Sequence, residues 1–146
     1  MDVIEAVLEA KGSRLHAVKP DASVLEAVET MCAARVGAVL VMEAGKLLGV
    51  FSERDLMTRV VLARLNPSRT IVKDVMTPKP VCIGLIATPR NAMGIMTSHR
   101  VRHLPVVYEG RVVGVISIGD LVRWSSRARQ QEVQELREYV AGGYAH

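Results

Sequence analysis

The strongest constraint on how this chain folds is an internal repeat. Residues 22–56 align without a gap on residues 87–121, a shift of 65 positions, and 12 of the 35 aligned pairs are identical. Chance would give about two identities at ordinary residue frequencies. The chain of 146 residues therefore holds two similar units of about 60 residues each.

Each unit carries the same predicted order of secondary structure. A short extended segment (HAVKP or PVCIG) precedes a helical stretch, two β-branched runs follow around a glycine, and a second helix closes the unit. Ser23 with Glu26, and Thr88 before Pro89, have the spacing that starts a helix. We therefore predict an α/β (α+β) fold of two strand-helix-strand-strand-helix repeats. Because one unit of this size leaves much of a sheet face uncovered, the repeats should pack together about a pseudo-twofold axis.

The second helix of each unit follows a repeated G-x-x-S-x-x-D motif, GVFSERD and then GVISIGD. The glycine, the serine and the aspartate recur, as Gly49, Ser52 and Asp55 and as Gly114, Ser117 and Asp120, whereas Glu53 and Arg54 do not. A serine with an acid three positions later caps a helix, and a strand-to-helix junction also favours phosphate. An ionised carboxylate can accept both hydroxyls of a vicinal diol. The residues alone leave two interpretations open, a ligand site made twice or two helix caps with no ligand.

These features together resemble a stand-alone tandem pair of cystathionine-β-synthase-type (CBS) domains, the Bateman module. The resemblance rests on GVFSERDL, GVISIGDL, VMTPKPV and RHLPVV, and it covers residues 1 to about 124. It implies a regulatory sensor that binds adenosine-containing ligands in two clefts between the domains. The ligand that it favours is AMP, ADP or ATP, and NAD and S-adenosylmethionine are the alternatives. The resemblance also implies a flat homodimer and an unidentified downstream protein, and a structural dimerisation module without ligand stays open.

The resemblance implies roles for individual residues as well. Asp55 and Asp120 would bind the ribose hydroxyls, one in each cleft, and Ser52 and Ser117 would lie near phosphate. The adenine base of the Asp55 cleft would lie against Leu15, His16, Ala17 and Val18, with Val36 nearby. In the Asp120 cleft the corresponding residues would be Thr77, Pro78, Lys79, Pro80 and Val81, with Val101.

The two repeats differ just before their second strand, where related nucleotide sensors contact the phosphates held by the other domain. The second repeat has Arg102 and His103 at these positions, and the first has a glycine and an alanine. The resemblance therefore implies that Arg102 and His103 serve the Asp55 cleft. We expect that cleft to prefer a nucleotide with free phosphate. The Asp120 cleft should be weaker, be empty or take a less charged group, unless Arg35, Lys79 or another basic residue compensates.

The pattern divides the chain into an N-terminal helix in residues 1–15, one domain in residues 16–66, a second in residues 67–124, and a helical extension in residues 125–146. Asp2 is expected to cap the first helix and Gly12 to end it. The extension has apolar residues three to five positions apart, which predicts a helix that packs on a second copy of the chain. A solvated extension is the alternative.

Composition and spacing argue against several other functions. Aromatic residues make up 3% of the chain and the net charge is +4, which disfavours base stacking and nucleic-acid binding. No histidine recurs with Ser52 and the four histidines share no metal-ligand spacing, so we predict no catalysis, no metal and no catalytic cofactor. The acidic N-terminus and the lack of a long apolar run predict a cytoplasmic protein with no membrane segment. Cys32 and Cys82 lack a CxxC spacing and are expected to be buried free thiols.

Overall fold

A computed structural model describes the backbone of residues 2–144. The elements, in chain order, are α1 (Ile4–Lys11), β1 (Ala17–Val18), α2 (Val24–Ala34), β2 (Ala38–Glu43), β3 (Lys46–Ser52), α3 (Glu53–Asp55) continued by a π-helix (Leu56–Val61), a 3₁₀ helix (Val72–Asp74), β4 (Thr77–Pro78), β5 (Ile83–Gly84), α4 (Pro89–His99), β6 (His103–Tyr108), β7 (Arg111–Ser117) and α5 (Ile118–Tyr144). The first repeat runs from β1 to α3 and the second from β5 to α5. The predicted α+β class and the predicted order of elements are confirmed.

The strands form two sheets, one centred on each repeat. The first has the order β1-β2-β3-β4 and the second β5-β6-β7, and in both a parallel pair is followed by an antiparallel hairpin. The hairpins turn at Ala44–Gly45 and Glu109–Gly110, where φ is 50° at the first residue and 77° at the glycine. Positive φ at both central residues is the geometry of a type I′ turn, which matches the twist of the flanking strands. The recurring glycine of each turn is therefore a conformational requirement.

Each repeat completes its hydrophobic core with the segment that precedes the other repeat. The core of the first includes Val72 and Val75, from the connection between the repeats. The core of the second includes Ile4, from α1. We call residues 4–12 and 72–78 the crossing segments. Because each one packs into the other repeat, the two cores cannot form independently of these connections.

The crossing segments run over the strand that leads into each repeated motif. A Cβ at Gly49 would lie 2.5 Å from the sulfur of Met76, and one at Gly114 would lie 2.6 Å from a methyl carbon of Leu8. In addition, β4 in the second crossing segment pairs with β3 of the first repeat. The motif glycine therefore leaves room for a crossing segment, which brings side chains from outside a repeat next to its motif.

The first crossing segment is fixed on the second repeat by its backbone. The first two N–H groups of α1 donate to the carbonyl groups of Ala87 and Leu85, at 2.8 and 3.0 Å. Gly12 ends the helix as predicted, with φ at 90°. The predicted cap by Asp2 is wrong, because the Asp2 carboxylate instead accepts a hydrogen bond from Trp124 Nε1 at 3.1 Å.

The two closing helices differ in length and in form. After Asp55 the chain makes one short π-helix, whereas α5 continues as a single helix of 27 residues into the predicted extension. Its apolar residues Val133, Leu136 and Val140 are 46–63% exposed. The packing of this helix on a second copy of the chain remains a prediction.

The structure also tests the predictions of two buried thiols and of a chain with no membrane segment. Cys32 is exposed on the solvent side of α2 and Cys82 is half-buried, so the prediction of two buried thiols is wrong. Burial raises the pKa of the Cys82 thiol above its ordinary value. Within residues 2–144, no helix combines the length and the apolar character needed to cross a membrane.

Candidate functional site

The two carboxylates of the repeated motif are both buried and both held at the start of a helix. Asp55 and Asp120 are 5% and 6% exposed, and they are the two buried charged residues in the part of the chain that the structure describes. Oδ2 of Asp55 accepts from the Ser52 N–H at 3.0 Å, and the Asp55 N–H donates to Ser52 Oγ at 3.3 Å. The same two bonds link Ser117 and Asp120, at 2.7 and 3.1 Å. Each motif is therefore a capping box that fixes its carboxylate in a buried position. Burial of a charge costs free energy, and the hydrogen bonds of the cap offset part of that cost.

Beyond its cap, Asp55 has mainly neutral partners. Its Oδ1 accepts from Thr77 Oγ1 at 3.0 Å, and its Oδ2 accepts from Ser52 Oγ at 3.1 Å. Its ion pair with Arg59 Nε is 3.7 Å long, and the Arg59 side chain is 48% exposed. The Arg59 guanidinium donates instead to the Met76 carbonyl group at 2.6 Å. Because hydroxyl groups can rotate toward other acceptors, the Asp55 carboxylate can exchange these partners for those of a ligand.

Asp55 faces a cavity of about 610 Å³, which is within the size range of small-molecule sites. The first motif and the helix after it contribute residues 52–55 and 57–59. The second crossing segment contributes Thr77, and the chain after it contributes residues 79–81. The turn before β6 closes the cavity with residues 99–103. The cavity therefore lies between the two repeats.

The lining of this cavity is positively charged, with one apolar part. Its basic side chains are Arg54, Arg59, Lys79, Arg100 and Arg102, and its acids are Glu53 and Asp55. Its apolar side chains include Val50, Pro80, Val81 and Val101. An excess of positive charge in a concave site raises the local concentration of anions. The arrangement can hold a ligand that combines a flat apolar group, a diol and an anionic group.

The structure corrects which residues accompany which carboxylate. Thr77, Lys79, Pro80, Val81 and Val101 line the Asp55 cavity, whereas the sequence-based prediction assigned them to Asp120. Leu15, His16, Ala17, Val18 and Val36, expected at Asp55, are not among the lining residues, and neither is Pro78. The reason is the crossing of the chain, because β4 pairs with β3 and so approaches the first motif. The contact of any of these residues with a base remains a prediction.

Asp120 has charged partners from its own chain. Lys11 Nζ lies 2.6 Å from Oδ2 and also donates to the Val115 carbonyl group at 2.7 Å. Arg123 Nη2 lies 2.7 Å from Oδ1. Burial raises the pKa of Asp120, but the hydrogen bonds from Lys11 and Ser117 outweigh it, so the pKa is lower than its ordinary value. Asp120 is therefore ionised and already paired with two cations.

Arg102 and His103 lie in the cavity of Asp55, on the side expected from the difference between the repeats. Arg102 is exposed and His103 is half-buried. Burial lowers the pKa of His103 and the nearby Glu53 carboxylate opposes this only in part, so the ring is neutral at pH 7. A Cβ at Gly37 would lie 3.2 Å from this ring, so the glycine leaves room for it. Arg102 is the charged member of the pair.

Sequence reasoning missed four residues near the carboxylates, Arg54, Arg59, Lys11 and Arg123. Arg54 does not recur in the second motif, yet it lines the cavity and donates to the Arg100 carbonyl group at 2.7 Å. Arg59 and Arg123 stand four and three positions after their aspartates, a helical spacing that could have identified them. Lys11 is 109 positions from Asp120, so no local signal predicts its contact.

Known proteins match this chain over most of its length. The CBS domain family matches twice, at residues 12–62 and 72–127. CBS domain-containing protein CBSX3, mitochondrial, of Arabidopsis thaliana is 34% identical over 140 residues, which are 92% of this chain and 68% of that protein. Some relatives are longer, since the match to CBSCBSPB2 of the same plant, 34% identical over 143 residues, covers 91% of this chain and 27% of that protein.

Solved structures share the fold. The CBS-domain containing protein ATU1752 from Agrobacterium tumefaciens has a TM-score of 0.80 at 39% identity, and the match covers 84% of this chain and 98% of that one. CBSX2 in complex with AMP has a TM-score of 0.66 at 28% identity, over 79% of this chain and 90% of that one. Together with the two repeats and their crossing segments, these matches show that the chain is a tandem pair of CBS domains and belongs to the CBS domain family.

Proposed function

We propose that this chain is a regulatory module that binds an adenine nucleotide in the cavity of Asp55 and passes the signal on through its conformation or its assembly. AMP, ADP or ATP is the proposed ligand, ahead of NAD and S-adenosylmethionine. The observation that carries the proposal is one buried carboxylate with exchangeable hydroxyl partners, set in a cavity rich in basic side chains. The complex of the related CBSX2 with AMP supports the choice of ligand.

Each part of an adenine nucleotide has a matching part of the lining. Asp55 accepts the two ribose hydroxyls, because an ionised carboxylate offers two acceptor oxygens to a vicinal diol. Arg102 binds the phosphate through charge-assisted hydrogen bonds. Ser52 lies beside Asp55 and offers its hydroxyl, and His103, being neutral, offers one further donor or acceptor.

The base occupies the apolar part of the cavity. Pro80, Val81 and Val101 are half-buried, and covering them with a flat ring removes apolar surface from water. Thr77 and Lys79, from the same stretch of chain, also line the cavity, and Thr77 donates to the Asp55 carboxylate. The base is therefore held mainly by burial, and the ribose and phosphate fix its orientation.

A signal that passes through assembly has support in exposed apolar side chains. Met57, Val61 and Leu62, around the π-helix, and Val122 of α5 are 54–73% exposed. Met57 and Val122 are counterparts at the repeat shift of 65, so each repeat exposes an apolar side chain at the same position after its motif. A homodimer that buries these side chains gains stability from the hydrophobic effect. Sedimentation equilibrium tests this part, and a monomer at all concentrations contradicts it.

The remaining parts of the proposal concern the setting of the protein. It acts in the cytoplasm on an unidentified downstream protein that recognises its nucleotide-bound form. It catalyses no reaction, and it requires no metal or catalytic cofactor. Nucleic acid is not among the proposed partners, because the basic side chains are assigned to a nucleotide inside the cavity rather than to a phosphate backbone on the surface.

Isothermal titration calorimetry with AMP tests the binding site. Asp55→Asn keeps an acceptor for the helix cap but removes the charge offered to the diol. We expect at least a tenfold loss of affinity, because a charged hydrogen bond is worth about 1.5–3 kcal/mol. Asp74→Asn changes an exposed acid outside the cavity and should bind as the wild type does. If the wild type binds none of AMP, ADP, ATP, NAD and S-adenosylmethionine, the proposed function is wrong.

A further inference from the structure

Asp120 carries the same motif as Asp55 but is paired in a different way, and this difference bears on how many nucleotides the chain binds. We propose that Lys11 blocks the ribose position at Asp120, so that each chain binds one nucleotide, in the cavity of Asp55. The proposal rests on the function proposed for the Asp55 cavity, and it adds a residue that determines which of the two carboxylates is used.

The geometry at Asp120 leaves little room for a diol. Oδ2 accepts from Lys11 Nζ at 2.6 Å and from the Ser117 N–H at 2.7 Å, and Oδ1 accepts from Arg123 at 2.7 Å. Lys11 Nζ has a second acceptor, the Val115 carbonyl group, at 2.7 Å. Its side chain is 33% exposed, and the Asp120 side chain is 5% exposed. The ammonium group therefore lies in the position that a ribose hydroxyl would need.

The repeat shows that this pairing is specific to the second motif. At the shift of 65 positions, Lys11 corresponds to Met76, and Arg123 corresponds to Thr58. Met76 packs against the first core and brings no charge to Asp55, and Thr58 lines the open cavity. Two substitutions between the copies therefore separate a carboxylate with hydroxyl partners and one guanidinium at 3.7 Å from a carboxylate with two cations at 2.6 and 2.7 Å.

A nucleoside competes poorly with these partners. Its ribose hydroxyls would donate to an ionised acceptor, but Lys11 and Arg123 do so as well and add the attraction between opposite charges, which is strong at a buried carboxylate. Lys11 is also held in place, because it is the last residue of α1 and this helix packs in the core of the second repeat through Ile4, Val7 and Leu8. Binding at Asp120 would have to displace an ammonium group that the fold positions in advance.

The counterpart residues indicate what an opened second site would accept. The residues that correspond to Pro80, Val81 and Val101 are Leu15, His16 and Val36, which supply apolar surface and one ring. The counterparts of Arg102 and His103 are a glycine and an alanine, which supply no phosphate contact. An opened site should therefore bind adenosine about as well as AMP, unlike the Asp55 cavity.

Calorimetry on exchanged variants tests the proposal. Lys11→Met with Arg123→Thr gives the second motif the residues of the first, and Lys11→Gln with Arg123→Thr repeats the exchange with a polar residue. Each protein is titrated with AMP and with adenosine. We expect one site per chain in the wild type and two in both exchanged variants. Adding Asp120→Asn to either variant should return the value to one, and Lys11→Arg, which keeps the cation, should stay at one.

The outcomes separate this inference from the proposed function. Two sites in the wild type overturn the inference, and so does a single site in both exchanged variants. If the wild type binds no nucleotide, the proposed function fails. An Asp120-dependent adenosine site that appears in the exchanged variants then still supports the role of Lys11, and its absence overturns that role. Hydrogen exchange of the α1 amides shows whether the helix stays in place in each variant. We expect exchange rates in Lys11→Arg equal to those of the wild type.

Discussion

The two motif sites have the same backbone and opposite electrostatic character. In both, a serine and an aspartate form a capping box and bury the carboxylate at the start of a helix. Asp55 then has hydroxyl partners and faces a basic cavity, whereas Asp120 has an ammonium group and a guanidinium group as direct partners. The duplicated sequence thus determines the local structure of both sites. The segment that arrives from outside each repeat determines whether a ligand can use it.

The crossing segments explain why identical motifs diverge. Thr77 reaches Asp55 from the second crossing segment, and Lys11 reaches Asp120 from the first. At the shift of 65, Thr77 corresponds to Gly12, and Lys11 corresponds to Met76. One crossing segment therefore brings a hydroxyl group to its motif, and the other brings a charge. A substitution in a crossing segment changes a ligand site without altering the motif itself.

The largest expected effect comes from moving the cation to the other site. Met76→Lys places an ammonium group at the position that corresponds to Lys11, beside Asp55. We expect AMP affinity to fall by about 100-fold, which corresponds to losing about 3 kcal/mol of charged hydrogen bonds to the diol. Titration calorimetry measures this. Met76→Gln has similar length without the charge and should keep most of the affinity; equal losses in both variants would attribute the effect to packing instead.

The next effect is a loss of stability when a methyl group is placed between a crossing segment and the motif glycine that it contacts. A Cβ in Gly49→Ala would lie 2.7 Å from the Thr77 carbonyl oxygen, which is backbone, whereas in Gly114→Ala it would meet the flexible Leu8 side chain. We expect the free energy of unfolding to fall by about 2 kcal/mol for Gly49→Ala and about 1 kcal/mol for Gly114→Ala. Urea denaturation measures both. The opposite order would mean that the first crossing segment is the more rigid one.

The fold and the helix starts within the two repeats were predictable because their signals are local. Alternation, the glycine turns and the serine caps each lie within a few residues, so the sequence predicts the repeat order and the place of both carboxylates. The lining of the cavity was not predictable in this way. Thr77 and Val81 were assigned to Asp120 because they precede the second repeat, and only the pairing of β4 with β3 shows that they belong with Asp55.

A smaller effect distinguishes the phosphate from the rest of the ligand. Arg102→Ala should weaken AMP binding by five- to tenfold, since Arg102 is exposed and solvent reduces the strength of its charged hydrogen bonds. Adenosine binding at Asp55 should not change, because adenosine has no phosphate. Arg111→Ala, at the start of β7 and outside the cavity, is the control. Equal losses for AMP and adenosine would contradict the assignment of Arg102 to phosphate.

The smallest effect is a pH dependence of the free energy of unfolding, and it comes from His103, which lines the Asp55 cavity. Burial lowers the pKa of His103 below its ordinary value of 6.5, against the charges of Glu53 and Asp120. Below about pH 6.5 the unfolded chain therefore binds a proton that the folded chain lacks, and the free energy of unfolding falls. His103→Gln should remove this part of the decrease between pH 7.5 and 5. His99→Gln, at the exposed end of α4, should leave the decrease unchanged in urea titrations.

A second pH window belongs to Asp120. Its pKa is lower than the ordinary 3.8, so it contributes stability that is complete at higher pH and is lost as pH falls through the folded pKa. Stability therefore falls in two separate pH ranges, the upper one because of His103 and the lower one because of Asp120. If His103→Gln altered stability only below pH 4, the assignment of the upper range to His103 would be wrong.

A crystal structure of the wild-type chain grown with saturating AMP tests the central claim most directly. We expect one nucleotide per chain in the cavity of Asp55, with its ribose hydroxyls on that carboxylate, and Lys11 Nζ still bonded to Asp120. A nucleotide at Asp120 with Lys11 displaced, or an Asp55 cavity that stays empty while Asp120 is occupied, would contradict it.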